Sequence, residues 1–363
     1  MAFAPISPLT IDGLPKFLSM TYHHFINWAI YTFVELGLAD RLIHAQLDTG
    51  LTIEEIVNND KQKWNNDLLK RILNVCVYGG IVKLINDDKH FILTESGQMM
   101  TSDHPSHVRD LIRFMFGSVL TNASLQFHKI VYNQTDDKVD SFDMFTLLNK
   151  CNDKEFLSIY NGAMTTMSIE AGIKLVDGID FSRFKTIVDL GGNRGTFLAQ
   201  ILKKYSNIQY GIVFDLSPII NEVNNGEEFI SREVSNDKWG FISGDMLDFA
   251  TIPLADAYIL KHILHGFNDN KCLKVLSSIR QANENKKNSL ITIFIVEHII
   301  FPEGATSNWQ TYGLDMAMAI LTDNARERTQ YEYEDLLNKT GWKFIKLYPI
   351  QAPNSVIEAQ FYC

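Results

Sequence analysis

From residue 184 onward, short apolar runs alternate with segments of helical periodicity, which is typical of a sheet built from parallel βα units. The runs predict seven strands, at residues 186–190, 210–216, 241–246, 257–264, 290–296, 342–348 and 355–362. Only residues 349–354 separate the last two, and so short a link cannot hold a crossover helix. These two strands must therefore be antiparallel. The pattern predicts an α/β domain with a mostly parallel, Rossmann-like sheet and an antiparallel last strand.

The first hundred residues have a different pattern, which predicts three helices. Residues 17–42 are apolar on nearly every face, so this helix should be buried on all sides. So close to a terminus, we expect a second subunit to cover it. Thr52 and Glu55 have the spacing of a capping box and begin a short second helix. The third helix ends at Gly79, and one apolar face of it is formed by Trp64, Leu68, Ile72 and Cys76.

Two short segments after these helices, 81–85 and 90–94, flank a polar turn and predict a β-hairpin. Three helices and a hairpin suggest a winged helix, which in many proteins docks on DNA. Residues 1–100 carry 8 Lys and Arg against 11 Asp and Glu, a net charge of −3, and a net-acidic domain rarely holds a duplex. Although the third helix is locally basic, we interpret residues 1–105 as a dimerisation domain, with DNA binding as the alternative.

Length and composition fit a protein of two domains. The chain has 363 residues, 46% of them hydrophobic, and its net charge of −10 argues against a general binder of nucleic acid or anionic membranes. Four scattered cysteines favour reduced thiols without a metal site, and no signal peptide is evident at the N-terminus. The longest apolar stretch, near residues 290–300, is too short and too interrupted to span a bilayer. We therefore expect a cytoplasmic protein.

A middle segment, residues 106–175, is predicted to be helical and to link the N-terminal domain to an α/β domain at residues 176–363. The segment contains several pairs of aromatic and methionine side chains. Such pairs line ligand pockets in some proteins, but they are more often ordinary core.

The turn at residues 187–197 carries the first sign of chemistry. A buried strand ends at Gly191, Gly192 and Gly195, and a helix begins near Thr196, which together form a nucleotide-binding corner. The glycine spacing is a poor match to the dinucleotide fingerprint. Asp189, at the end of the strand, would repel a pyrophosphate but suits a cofactor with a cationic sulfonium group. We therefore predict S-adenosylmethionine as the cofactor.

Acids at the ends of neighbouring strands support this prediction, because ligands of open α/β sheets bind at the carboxyl ends of the strands. Asp189, Asp215 and Asp245 each follow an apolar run. Asp215 lies 20 residues beyond Gly195, where an acid can bind both ribose hydroxyls. Asp245 is placed to accept a hydrogen bond from the adenine amino group, and Met246 to pack on the ring.

The fourth predicted strand carries two histidines, His262 and His265. Because they are three residues apart, they cannot both face the same side of a strand, and His265 lies at the strand mouth. A histidine there is well placed as a general base. Glu297, at the predicted end of the fifth strand, is expected to orient the imidazole. Lys261 is a candidate partner for the carboxylate of the cofactor.

The chain resembles the small-molecule O-methyltransferases of secondary metabolism, the family of plant caffeate and flavonoid enzymes and of acetylserotonin methyltransferase. The resemblance covers almost the whole chain and rests on Val188-Asp-Leu-Gly-Gly-Asn-Arg-Gly-Thr196, Phe214-Asp-Leu-Ser-Pro218, Gly244-Asp-Met246, Leu260-Lys-His-Ile-Leu-His265 and Ala325-Arg-Glu-Arg-Thr329. It implies a class I methyltransferase fold, an N-terminal winged-helix dimerisation domain, S-adenosylmethionine as cofactor, and methylation of a small hydroxylated or phenolic acceptor.

The resemblance also implies roles for individual residues. His265 is the base, flanked by Glu297 and Glu327. The implied cofactor contacts are Asp189, Gly191, Asp215, Leu216, Asp245, Met246 and Lys261. The positions that match the acceptor pocket are Asn161, Met164, Asp315 and Met316.

The chain departs from the family pattern at two places. Asn193 and Arg194 stand in the glycine turn where the family has Gly-Thr, and Gly266 replaces an aspartate after the base. Because asparagine tolerates positive φ, we expect the turn to survive. The first alternative function is a family member that binds the cofactor but catalyses a ring-forming or rearrangement reaction. The others are a ligand-sensing DNA-binding regulator and a nicotinamide dehydrogenase.

Overall fold

The structure is a computed structural model that describes residues 12–45, 49–58, 60–86, 89–132, 143–223, 225–286, 289–301, 309–348 and 354–363. The chain forms two compact units, residues 1–119 and residues 120–363. The segment 106–175, predicted as a separate linker, is thus divided between them. None of the described helices is long and apolar enough to cross a membrane.

The N-terminal unit contains the predicted helices and hairpin. Its elements are α1 (Leu14–Glu35), α2 (Leu38–Leu42), α3 (Ile53–Ile56), α4 (Asn66–Tyr78), β1 (Val82–Ile85), β2 (His90–Leu93), α5 (Glu95–Gln98) and α6 (Val108–Phe116). The strands β1 and β2 are antiparallel, with Val82 opposite Leu93. The capping box is confirmed, because Thr52 and Glu55 each accept a backbone N–H of the other.

The long N-terminal helix differs from its prediction in two ways. It is broken at Gly37, whose φ of +61° is left-handed, so α1 ends at Glu35 and α2 follows. Its first half is not buried within the chain, since Phe17 is 66% exposed and Phe25 63% exposed, whereas Phe33 is fully buried. The first half of α1 therefore has apolar side chains that the described residues leave exposed.

The C-terminal unit is a layered α/β domain. Its helices are α7 (Ser118–Val131), which begins at the boundary, α8 (Met144–Lys150), α9 (Lys154–Gly178), α10 (Thr196–Lys204), α11 (Ser217–Val223), α12 (Glu227–Ile230), α13 (Asp269–Asn283), α14 (Trp309–Leu321) and α15 (Gln330–Lys339). Its strands are β3 (Thr186–Leu190), β4 (Tyr210–Asp215), β5 (Trp239–Ser243), β6 (Ala257–Lys261), β7 (Leu290–Ile300), β8 (Arg328–Thr329), β9 (Lys343–Tyr348) and β10 (Asn354–Tyr362).

The sheet is mostly parallel with an antiparallel last strand, as predicted. Its strand order is β5-β4-β3-β6-β7-β10-β9, and the short β8 pairs with the end of β7. All pairs among β3 to β7 are parallel, whereas β10 is antiparallel to both β7 and β9, which confirms the antiparallel ending. Residues 349–353 of the predicted link lie outside the described residues.

Three strand ends differ from the predicted ones by three or four residues, and each difference changes the position of a candidate site residue. The strand β5 ends at Ser243, so Asp245 lies beyond it. Likewise β6 ends at Lys261 rather than at residue 264. The strand β7 continues to Ile300, past Glu297, because antiparallel pairing with β10 and parallel pairing with β8 extend its ladder.

Apolar side chains cover both faces of the sheet, which leaves the carboxyl strand ends as the place for a site. Successive residues of β3 point to opposite faces. Ile187 packs in a cluster with Leu175 of α9 and Phe197 of α10. Val188 packs in a second cluster, with Leu276 of α13 and Leu336 of α15.

Candidate active site

The glycine turn closes tightly over the end of β3. The N–H of Gly191 donates to the carbonyl of Phe214 at 2.7 Å, and its φ is +73°. A Cβ at Gly191 would lie 2.2 Å from Cδ1 of Ile263, so a side chain here would force Ile263 to move. Asn193 has a φ of +51°, which confirms that an asparagine preserves the turn. The helix α10 begins at Thr196, as predicted.

Two acids and a lysine lie at the strand ends beside this turn. Asp189 is 2% exposed, and burial raises its pKa to about 7, against the lowering effect of Lys261. Burial likewise raises the pKa of Asp215 to about 6. The carboxylate of Asp215 accepts the N–H groups of Asn193 at 3.0 Å and Leu216 at 2.8 Å. Lys261 is half-buried, and burial lowers its pKa.

The residues proposed for adenine lie one strand further along the sheet. Asp245 is exposed and sits two residues beyond β5, so the prediction that it ends a strand is wrong. Its Oδ1 accepts the N–H of Leu247 at 2.9 Å, which fixes a polar turn after the strand. The terminal methyl of half-buried Met246 approaches Gly191, 3.7 Å from where a Cβ would stand. Met246 therefore borders the glycine turn.

His265 lies on a short turn after β6 rather than on a strand. The strand ends at Lys261, His262 takes a left-handed φ of +56°, and a 3-10 helix follows at Leu264–Gly266. As a result, the rings of His262 and His265 are in contact, with 5.2 Å between centroids. The prediction that the two histidines face opposite ways was wrong, because it assumed a continuous strand.

Two buried glutamates surround His265 and have different contacts. Oε1 of Glu327 lies 2.6 Å from Nδ1 of His265, whereas the nearest oxygen of Glu297 is 3.5 Å away. Oε1 of Glu297 instead accepts the backbone N–H groups of Ile263, Leu264 and His265. Glu297 thus fixes the turn, and Glu327 contacts the imidazole.

The electrostatics of this cluster favour positive charge on His265. Burial alone would lower the pKa of His265, but Glu297 and Glu327 outweigh it and raise the pKa to about 9. Burial also raises the pKa of Glu297, because its charged form has lost its water. The neighbouring His262 has a pKa well below its usual range, through burial and the nearby cationic groups. The two histidines therefore differ strongly in basicity.

Arg328 is a site residue that the sequence reasoning missed. It is fully buried, and its guanidinium donates to the carbonyls of Leu264 and Phe267, both at 2.8 Å. The same guanidinium donates to Oδ1 of Asp269 at 2.7 Å. Arg328 therefore clamps the turn that carries His265. The sequence feature that could have indicated Arg328 is its position next to Glu327 in the motif Ala325–Thr329, which resembles the family.

The residues proposed for the acceptor lie on two helices. Asn161 and Met164 are on α9, with Asn161 fully buried and Met164 half-buried. Asp315 and Met316 are on α14, where Met316 is 48% exposed. Oδ1 of Asp315 accepts the N–H of Glu327 at 2.8 Å, so this residue supports the glutamate beside the base.

His262, His265 and Glu297 are the described residues that come closest to a metal-ligand set, with one potential ligand atom from each within 4.8 Å of the others. Zinc binds nitrogen and oxygen ligands at about 2.0–2.2 Å, which needs closer atoms. Both imidazoles also have protein partners, since Nε2 of His262 lies 2.6 Å from Oδ1 of Asn354. The arrangement suits proton transfer better than metal binding.

Comparison with known proteins identifies the family. The O-methyltransferase domain matches residues 120–343, which is more than half of the chain. The chain therefore belongs to the S-adenosylmethionine-dependent O-methyltransferases, which confirms the predicted family, enzyme class and cofactor.

Individual relatives are similar along nearly their whole length. The desmethylxanthohumol 6'-O-methyltransferase of Humulus lupulus is 28% identical over 375 residues, which cover 96% of this chain and 99% of the relative. The crystal structure of LaPhzM superposes with a TM-score of 0.79 at 26% identity, over 95% of this chain and 98% of that one. Human N-acetylserotonin methyltransferase, solved with S-adenosylmethionine, shares the fold with a TM-score of 0.76 at 19% identity, over 98% and 99%.

The residues at the strand ends fit this cofactor. The left-handed φ of +73° at Gly191 turns the backbone tightly over the end of β3, a conformation that glycine adopts readily in loops that approach a ligand closely. The carboxylate of Asp215 suits a ribose diol, and the buried acid Asp189 suits a cationic ligand nearby. These two acids therefore agree with a nucleoside cofactor that carries a sulfonium group.

Proposed function

We propose that this enzyme transfers the methyl group of S-adenosylmethionine to a hydroxyl, most simply a phenol, of a small-molecule metabolite, with His265 as the general base. The observation that supports this most directly is the buried His265–Glu327 pair, held on a turn beside the cofactor corner. The names of relatives, such as the desmethylxanthohumol 6'-O-methyltransferase of Humulus lupulus, support a phenolic acceptor.

The geometry supports a specific part in the proposed reaction for His265 and Glu327. The hydrogen bond to Glu327 occupies Nδ1 of His265, so Nε2 remains to take the proton of the acceptor. When bound, the cofactor supplies an electrophilic methyl group. His265 would remove the hydroxyl proton of the acceptor at Nε2, so that the acceptor oxygen becomes the nucleophile for this methyl group. A phenol has a pKa of about 10, so this removal matters at neutral pH.

The remaining site residues bind the two substrates. We propose that the cofactor is bound by Asp189, Gly191, Asp215, Leu216, Asp245, Met246 and Lys261. The acceptor pocket is proposed to include Asn161, Met164, Asp315 and Met316. Arg328 and Glu297 hold the turn that bears the base.

The N-terminal residues 1–105 are proposed as a winged-helix dimerisation domain, followed by a helical segment at 106–175 and the methyltransferase domain at 176–363. The exposed apolar side chains in the first half of α1 support a second copy of the chain as the partner. The four free cysteines support a cytoplasmic location. If the protein retards duplex DNA in a gel shift, the result would instead favour the alternative function of a ligand-sensing DNA-binding regulator.

Product analysis tests the proposed activity. The purified protein is incubated with S-adenosylmethionine and a panel of phenols, and the products are examined by mass spectrometry. A product heavier by one methylene group, with S-adenosylhomocysteine released in equal amount, is expected. Cofactor binding without such a product from any phenol would contradict the proposal and favour the ring-forming alternative.

The activity should rise with pH. His265 acts as a base only when neutral, so kcat/KM should fall as pH drops through its pKa of about 9. Glu327→Gln removes a charge that raises this pKa, so the acid limb of the profile should move down by about 1–3 pH units. The same phenol is used with the wild type and with Glu327→Gln. Its ionisation therefore affects both pH profiles equally and does not contribute to the difference between them. Coincident acid limbs would contradict the role of Glu327.

The oligomeric state should depend on α1. The wild type should have twice the 41.4 kDa mass of the chain by size-exclusion chromatography with light scattering. Replacement of exposed Phe17 and Phe25 by Glu should give monomers, because the charges cannot be buried in an interface. Tyr331→Glu, at a site 72% exposed in the other unit, is the control and should leave the mass unchanged. A monomeric wild type would contradict the dimer.

A further inference from the structure

Asn193 connects three parts of the C-terminal unit. Its backbone N–H donates to Oδ2 of Asp215 at 3.0 Å, at the end of β4. Its side-chain Oδ1 accepts the N–H of Arg194 at 2.7 Å, within the glycine turn. Its Nδ2 donates to Oδ1 of Asn161 at 2.7 Å, on α9. One side chain thus joins the proposed cofactor corner to the helix proposed for the acceptor.

These bonds determine the orientation of both amides. The N–H of Arg194 is always a donor, so it must face Oδ1 of Asn193. Nδ2 of Asn193 then points to Asn161 and donates a hydrogen bond, so the Asn161 atom that accepts it must be Oδ1. The Nδ2 group of Asn161 is consequently turned away from the pair. A flipped amide would bring two donors together, so the chain of bonds excludes it.

The Nδ2 group of Asn161 has no acceptor among the described residues, although the side chain is fully buried. Buried donors are nearly always paired in native proteins, so an unpaired one requires an explanation. This donor adjoins the glycine turn, where the cofactor corner lies. A ligand oxygen is the simplest acceptor.

We infer that Asn193 is a positioning residue, which sets the amide of Asn161 so that its N–H binds an oxygen of the cofactor or of the acceptor. The inference rests on the proposed function of this site. Asn193 thereby acts on the ligand through Asn161 rather than by contact.

Two substitutions of Asn193 separate this role from its effect on the turn. Asn193→Gly removes the side chain but keeps a residue suited to positive φ, so the turn should persist. Asn193→Asp still accepts the N–H of Arg194, but it faces Asn161 with an oxygen. The amide of Asn161 should then rotate and present its own oxygen to the ligand.

The affinity of S-adenosylhomocysteine is measured by calorimetry, and the KM of the phenol is measured separately. We expect Asn193→Gly to weaken one of them by about 3- to 10-fold and Asn193→Asp by about 10-fold or more, because a hydrogen bond is lost and then replaced by repulsion. A change in S-adenosylhomocysteine affinity assigns the oxygen to the cofactor. A change in the KM alone assigns it to the acceptor.

The Asn161→Ala background gives the decisive comparison. There the substitutions of Asn193 should have no further effect, because the amide they orient is gone. Equal effects in both backgrounds, or no effect in either measurement with an unchanged melting temperature, would overturn the inference. If the wild type binds S-adenosylhomocysteine but methylates no phenol, the proposed function fails. Phenol affinity measured with S-adenosylhomocysteine bound then replaces the KM.

Discussion

Replacing His265 by Ala should lower kcat by about 10²- to 10⁴-fold, the usual contribution of a positioned general base. The residue is 5% exposed and hydrogen-bonded to Glu327, so its imidazole is held in a single orientation. Without it, the acceptor hydroxyl keeps its proton during attack on the methyl carbon. Turnover is measured at saturating cofactor with the phenol identified by product analysis.

Binding measurements separate this loss from misfolding. The affinity for S-adenosylhomocysteine should remain within a few-fold of wild type, because the proposed cofactor residues do not include His265 and lie on other positions, at the ends of β3, β4 and β6 and after β5. His44→Ala, at an exposed position in the N-terminal unit, is the control for loss of a histidine and should keep full activity. Unchanged turnover in His265→Ala would contradict the role of His265 as the general base. It would not affect the identification of S-adenosylmethionine as the cofactor.

Replacing Arg328 by Met should destabilise the C-terminal unit by about 3–5 kcal/mol, because two carbonyls lose hydrogen bonds from a buried charged donor, each worth about 1.5–3 kcal/mol. The substitution removes the guanidinium donor from the carbonyls of Leu264 and Phe267, and it leaves Asp269 with Arg326 as its cationic partner. For a unit of this size, the melting temperature should fall by about 6–20 °C. Activity should also fall, because the turn that carries the base loses its clamp.

Arg326→Met is the matched control two residues away. Arg326 pairs with Glu332 and Asp269, but its side chain is 42% exposed, so the loss should be at most about 1 kcal/mol. The melting temperatures of Arg328→Met and Arg326→Met are measured by calorimetry and compared with that of the wild type. Equal small losses would show that Arg328 does not clamp the turn. A loss of stability in Arg328→Met with full activity at low temperature would show that the clamp does not position His265.

Local sequence was sufficient for most elements because their causes are local. The capping box at Thr52, the hairpin of β1 and β2, and the start of α10 at Thr196 depend on residues within a few positions of each other. The antiparallel ending followed from the length of one link. The positive φ of Asn193 followed from the tolerance of asparagine for that conformation.

Strand ends were less predictable because partners from distant segments set them. Pairing with β10 and β8 extends β7 past Glu297. The strand β6 stops at Lys261, and Glu297, 32 to 34 positions away in sequence, binds the N–H groups of the following turn. Hydropathy cannot distinguish an apolar strand from an apolar turn of this kind.

The sequence by itself therefore determined the class of sheet, the cofactor corner and the residue types available for catalysis. Only the tertiary structure decided which groups meet. His265 contacts Glu327, 62 positions away, and Arg328 clamps Leu264, 64 positions away. Asn193 contacts Asn161 across 32 positions. Such contacts depend on how helices and strands pack, and periodicity within one segment carries no information about a distant partner.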